Sequence, residues 1–130
     1  MRRLALAAML GTLATACATP PLPREVSDAV DGARITLLPG QELIVNLDGN
    51  LGTGFRWNLT RNAEPVLKQV GEPTTQQRAA ESRLAGAGGV TTFKFRAAAP
   101  GYAALTFSYR RPWETNIPPA KSVHFDIRVE

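Results

Sequence analysis

Few residues of this 130-residue chain carry reactive groups, and their scarcity limits the chemistry on offer. There is one histidine, His124, and one cysteine, Cys17. A structural zinc site takes four ligands, mostly Cys and His in close pairs, so these counts build no Cys/His metal cluster. Cys17 lies at the end of a leader-like segment, which leaves the rest of the chain without a thiol nucleophile. A Ser-His-Asp set would have to use His124 on a strand face, with Asp126 two residues on and no nucleophile elbow in view. The sequence therefore reads as a non-enzyme that needs no cofactor and no metal.

What the chain does offer is three loops of unusual composition. The first is Asn50-Leu51-Gly52-Thr53-Gly54, running straight into Phe55-Arg56-Trp57. Asn and Gly tolerate positive φ, so a tight, preformed turn is expected, with Thr53 at its tip and its hydroxyl and methyl available. The second is Gly86-Ala87-Gly88-Gly89. Such a run cannot pack a core. It reads as a hairpin-like tip, as a place where another backbone approaches closely, or as a plain surface loop. The third is Arg111-Pro112-Trp113-Glu114, inside a proline-stiffened connection that runs to Pro119. Trp113 after a proline is either an exposed contact or a cap on the core edge. Arg110 and Arg111 read as a solvated charge pair.

Loops need strands to hold them, and the strand signal is strong. Residues 42–47 put Leu43, Val45 and Leu47 on one face. Residues 55–60 alternate Phe55, Trp57 and Leu59 with polar side chains. Residues 90–97, 102–109 and 122–130 repeat this period of two, the last with Val123, Phe125, Ile127 and Val129 inward and His124 outward. Residues 34–38 and 66–70 are shorter strands. Residues 25–31 give no clear period, and residues 76–84 read as a helical turn or an unstructured connection. Seven strands with Pro-Gly turns between them, in roughly 100 residues, form the pattern of an all-β, immunoglobulin-like β-sandwich. With one cysteine there is no internal disulfide, and Trp57 is the residue to fill the centre of the core. In that topology the loops after residues 42–47, 66–70 and 102–109 share one edge. Those are the three loops just described.

The amino terminus is a separate unit. Met1-Arg2-Arg3 precedes an apolar run from Leu4 to Leu13, and Ala14-Thr15-Ala16 supplies small residues, so residues 1–16 read as a signal peptide. Cys17 directly after it resembles the lipidated cysteine of bacterial lipoproteins; the alternative is an ordinary cleaved signal with Cys17 as a passenger. Residues 17–33 are then an anchor and spacer, stiffened by Pro20, Pro21 and Pro23, and residues 34–130 the domain. Ala18, rather than Asp, resembles lipoproteins sorted to the outer membrane, here facing the periplasm. The formal charge of +4 includes Arg2 and Arg3, so it falls to +2 without them. The other arginines are dispersed, which gives a nucleic-acid footprint little support, and no nucleic-acid partner is expected. A monomer is expected.

On these residues the chain resembles the chagasin family of cysteine-peptidase inhibitors. That family carries Asn-Pro-Thr-Thr-Gly-Tyr/Phe followed closely by Trp, where this chain has Asn50 to Trp57. It carries a glycine-rich loop before a strand, here Gly86 to Gly89. It carries Arg-Pro-Trp and an acidic residue, here Arg111 to Glu114. The resemblance covers residues 34–130. It implies a reversible inhibitor of papain-like cysteine peptidases whose three loops wedge into the active-site cleft. Asn50, Leu51, Gly52, Thr53, Gly54 and Phe55 would reach the catalytic centre. Gly86, Ala87, Gly88 and Gly89 would pair their backbone with the enzyme. Trp113, stiffened by Pro112, would pack beside the cleft, and Arg111 would hydrogen-bond the enzyme or brace the loop. Leu51-Gly52 stands where the family has Pro-Thr, which implies a looser first loop and a weaker or more selective inhibitor. The rival reading is a lipid-anchored binding or scaffolding module on the same fold, without inhibitory activity.

Overall fold

The computed structural model describes residues 11, 19–77 and 88–130. The expected signal segment (apart from Gly11), Cys17, Gly86 and Ala87 lie outside them. Nine strands run through the described residues: β1 (Arg24–Ser27), β2 (Arg34–Leu37), β3 (Glu42–Asn50), β4 (Arg56–Arg61), β5 (Leu67–Gln69), β6 (Thr74–Gln77), β7 (Gly88–Ala97), β8 (Gly101–Arg110) and β9 (Lys121–Val129). One sheet has the order β1-β3-β7-β5, with β6 also paired to β7; the other has the order β2-β9-β8-β4. The edge strands β1 and β2 pair in parallel with β3 and β9, and the remaining ladders are antiparallel.

The period-2 pattern puts one face of each sheet against the other. Leu43, Val45 and Leu47 of β3, Phe93 and Phe95 of β7, Leu105 and Phe107 of β8, and Val123, Phe125, Ile127 and Val129 of β9 are all buried. Burying each such side chain contributes roughly 1.5–3 kcal/mol, so long alternating strands dominate the fold's stability over short polar ones. Phe107 is the centre, with ring centroids of Phe93, Phe95 and Phe125 at 4.9, 6.2 and 6.4 Å.

Two expectations change. Trp57 is buried but does not fill the centre. It lies at the end of the sandwich where the loops emerge, its ring tilted by 38° against Tyr109 with centroids 4.9 Å apart. Its indole N–H donates to the Asp48 carbonyl at 3.1 Å, and a buried Trp sits where such an acceptor exists. The phenylalanines, with no polar atom to satisfy, occupy the middle.

The strand count is nine rather than seven, because β1 and β6 escape the apolar period. β6 is Thr-Thr-Gln-Gln with every side chain exposed. Its pairing with residues 89–92 rests on the backbone ladder, with the Thr75 and Thr91 hydroxyls 3.5 Å apart alongside it, and an edge strand with one neighbour permits this. β1 buries one side chain, Val26. The sandwich therefore begins at Arg24, inside the stretch assigned to the spacer, and not at Arg34. A 3-10 turn at Asp28–Val30, capped by the Ser27 hydroxyl accepting from the Ala29 N–H, carries the chain from one sheet to the other.

Candidate functional site

The first loop is a 3-10 turn at Leu51–Thr53, closed by Gly54 at φ +84°. Asn50 organises it. Its side-chain oxygen accepts the Gly52 N–H at 3.1 Å, and its carbonyl accepts the Thr53 hydroxyl at 2.9 Å. This is the local bonding for which Asn and Thr are favoured in turns. Thr53 is exposed at the tip as expected, but its hydroxyl is engaged within the loop and not free. The Gly52 N–H is one of these bonds.

Tyr109, at the end of β8, holds the loop from beneath. Its hydroxyl accepts the Asn50 N–H at 2.7 Å and donates to the Asn50 carbonyl at 3.1 Å. Its ring stacks on Phe55 at 4.9 Å with an interplanar angle of 18°. Gly49 is required by the same packing: a Cβ there would lie 2.8 Å from the Tyr109 ring and 3.1 Å from the Trp57 nitrogen.

The third loop closes on the first. The Arg111 Nε donates to the Thr53 carbonyl at 3.0 Å, and its guanidinium lies 4.5 Å from the centroid of Phe55. Glu114 orients that guanidinium through a 2.9 Å ion pair. The Arg110 guanidinium also bonds the Glu114 carbonyl. An ion pair this exposed contributes at most about 1 kcal/mol, so its effect is on geometry more than stability. Arg110 and Arg111 are thus braces and not a solvated pair.

Pro112 and Trp113 are exposed beyond these braces. Trp113 is 67% exposed, which removes the reading of it as a core cap. Its indole lies over Gly54, where a Cβ would come within 2.4 Å of the ring. Glycine is required there twice, by φ and by contact.

The second loop is described only at its end. Gly88 and Gly89 are not loop residues; they open β7, opposite Asn50 and Gly49 of β3, with Gly89 also opposite Gln77 of β6. The register brings the end of the glycine run directly beside Asn50. The described end of the glycine run, Gly88 and Gly89, therefore lies at the same edge as the first and third loops.

The period of two puts Tyr109 on one face with Ala103, Leu105 and Phe107 and says nothing of its hydroxyl. The missed signal was the residue type: a buried Tyr, unlike Phe, needs a partner for its hydroxyl, and the last inward position of a strand has loop backbone within reach. His124 lies elsewhere, on the outer face of the second sheet, with Asp126 Oδ1 at 2.9 Å and the Thr106 hydroxyl at 3.3 Å. Among the described residues no group of three or more His, Cys, Asp or Glu side chains is placed to hold a metal.

Known proteins share this architecture. The family model "Chagasin family peptidase inhibitor I42" matches residues 36–129. Chagasin of Trypanosoma cruzi is 29% identical over 93 residues, which is 71% of this chain and 84% of that protein. The crystal structure of a cysteine protease inhibitor of Entamoeba histolytica, EhICP2, superposes with a TM-score of 0.75 at 17% identity, covering 84% of this chain and 96% of that one. The solution structure of Amebosin gives a TM-score of 0.60 at 23% identity, covering 86% and 100%. At those identities the two structures speak for the fold. The family model spans most of the domain, from β2 to β9, and on that ground the chain belongs to the chagasin family of peptidase inhibitors.

Proposed function

We propose that this protein inhibits papain-like cysteine peptidases by seating the edge formed by Asn50–Phe55, Gly86–Gly89 and Arg111–Trp113 in their active-site cleft. The observation that carries the reading is the bonding of the first loop to the third, through Arg111 to Thr53 and Trp113 over Gly54. Two loops already joined lose little freedom on docking, so more of the contact energy appears as affinity. No residue of the edge needs to react; the inhibitor occupies the cleft and leaves again intact. Titration of papain with the purified protein, followed with a fluorogenic peptide, is expected to give stoichiometric, reversible inhibition. No inhibition of papain or of cathepsin-type enzymes at micromolar protein would overturn the proposal and leave an envelope binding module on the same fold.

We further propose that the protein is a monomer anchored in the bacterial envelope through lipid on Cys17, at the outer membrane and facing the periplasm. The run from Met1 to Cys17 supports this, and so does the polarity of the domain. The Gln41 side chain donates to the Leu22 carbonyl at 2.8 Å, and β1 then runs alongside β3 from Leu43 towards Asn46. The chain enters at the end of the sandwich opposite the loops, so a tether there leaves the inhibitory edge clear. Cys17→Ala is expected to move the protein from the membrane fraction to the soluble one. Retention of that variant in the membrane fraction would count against lipid anchoring.

A further inference from the structure

Side-chain hydrogen bonds join the two sheets at the loop end. The Trp57 indole of the second sheet donates to Asp48 of the first. One step closer to the loops, the Tyr109 hydroxyl bonds both the N–H and the carbonyl of Asn50. The first and third loops and the described start of β7 are tied to this pair. Asn50 is the hinge of the first loop and the register partner of Gly88, where the second loop joins β7. Tyr109 is the stem of the third loop: it pairs with Lys121 across the ladder, and its carbonyl accepts the Ala120 N–H at 2.9 Å.

We infer that the Tyr109 hydroxyl is a positioning group for inhibition: it sets the relative placement of the three loops by fixing Asn50 of one sheet to the base of the third loop on the other. The inference rests on the proposed inhibitory reading and extends it to a residue that does not touch the peptidase. The physical reason is the angle between the sheets. Apolar packing holds two sheets together but is non-directional, so it fixes their separation better than their rotation. A hydroxyl that donates and accepts on one peptide unit fixes direction at the place where a small rotation would spread the loops. Without it the packed rings of Phe55, Tyr109 and Trp57 still fill the space, so the domain stays folded while the competent loop arrangement becomes one of several. Apparent affinity falls in proportion to the fraction that remains competent.

The test is Tyr109→Phe, compared with Ile127→Val as a control of similar destabilisation. Ile127 is buried on β9, paired with Ile35 and Ala103, far from the loops. Both variants are expected to lower Tm by a few degrees. Tyr109→Phe should raise the inhibition constant by about tenfold, the change expected if the competent fraction falls to about a tenth. Ile127→Val should stay within twofold of wild type. Equal inhibition constants for the two variants would overturn the inference. Amide hydrogen exchange gives a readout that needs no peptidase. In Tyr109→Phe, protection should fall at Asn50–Gly54 and Gly88–Gly89 and hold in β8 and β9. If wild type fails to inhibit at all, the inhibitory reading fails, and this exchange pattern still decides the hydroxyl's role: local loss supports it, and unchanged protection overturns it.

Discussion

At the end of the sandwich where Thr53, Gly88 and Trp113 gather, side chains hold the backbone; at the opposite end, the backbone mostly holds itself. The far turns close through Gln41 N–H to Leu38 O at 3.0 Å, Gly40 N–H to Ala97 O at 3.0 Å, and Ala98 N–H to Val66 O at 2.8 Å. Gln41 is the side chain that contributes most there, bonding Leu38 and Leu22. At the loop end, Asn50, Thr53, Tyr109, Trp57 and Arg111 each bond a main-chain group. Regular turns satisfy their own peptide groups and tolerate changes in side chain. Loops that must keep an irregular outline recruit side chains, and their shape becomes sensitive to single substitutions.

That contrast can be broken or sharpened by substitution. The largest effect should come from Trp113→Ala. A large, exposed aromatic braced by proline and by contact with Gly54 is the usual form of an interface hot spot, worth about 2 kcal/mol or more. A rise of roughly 30-fold or more in the inhibition constant is expected, with Tm unchanged, since the side chain buries little in the free protein. Gly54→Ala comes next. A Cβ at φ +84° costs about 1–2 kcal/mol in strain and also meets the Trp113 ring. Inhibition should weaken about tenfold or more, and Tm should fall by about 5 °C or more.

Gly52→Thr tests the opposite sign. Replacing glycine reduces the freedom of the unbound loop, but the turn is already held by Asn50 and Arg111. The gain in affinity should be about two- to fourfold, within the 0.4–1 kcal/mol typical of such changes. A tenfold gain would show that the loop is looser in solution than its hydrogen bonds indicate. The smallest effect is expected at the other end. Tyr102 is 78% exposed on the outer face of the second sheet, beside Arg128, whose guanidinium lies 5.7 Å from its ring centroid. Tyr102→Ala should change the inhibition constant by less than twofold. A larger loss would mean that peptidase contact extends beyond the loop edge.

Much of this was readable from residue order. The alternation in residues 42–47, 90–97, 102–109 and 122–130 marks the long strands because apolar side chains at period two can be buried only on one face of a sheet. The loops were readable because Asn, Gly and Pro announce turns by their backbone preferences. What failed to show was β6, whose Thr-Thr-Gln-Gln carries no apolar period, and β1, where a single buried Val26 makes four residues look like spacer. Trp57 was placed too centrally because hydrophobicity alone ignores the indole N–H and its need for the Asp48 carbonyl.

The sequence by itself determined the all-β class, the inward face of each long strand, the absence of an internal disulfide and the unusual composition of the three loops. Those are local properties: periodicity, backbone preference and residue counts. Tertiary structure alone decided that Arg111 reaches Thr53 across 58 residues, that the Tyr109 hydroxyl seizes Asn50 across 59, and that Gly54 must leave room for Trp113. Such contacts depend on which strands are neighbours and in what register. That is set by the packing of two sheets as a whole and leaves no mark on any single stretch of chain.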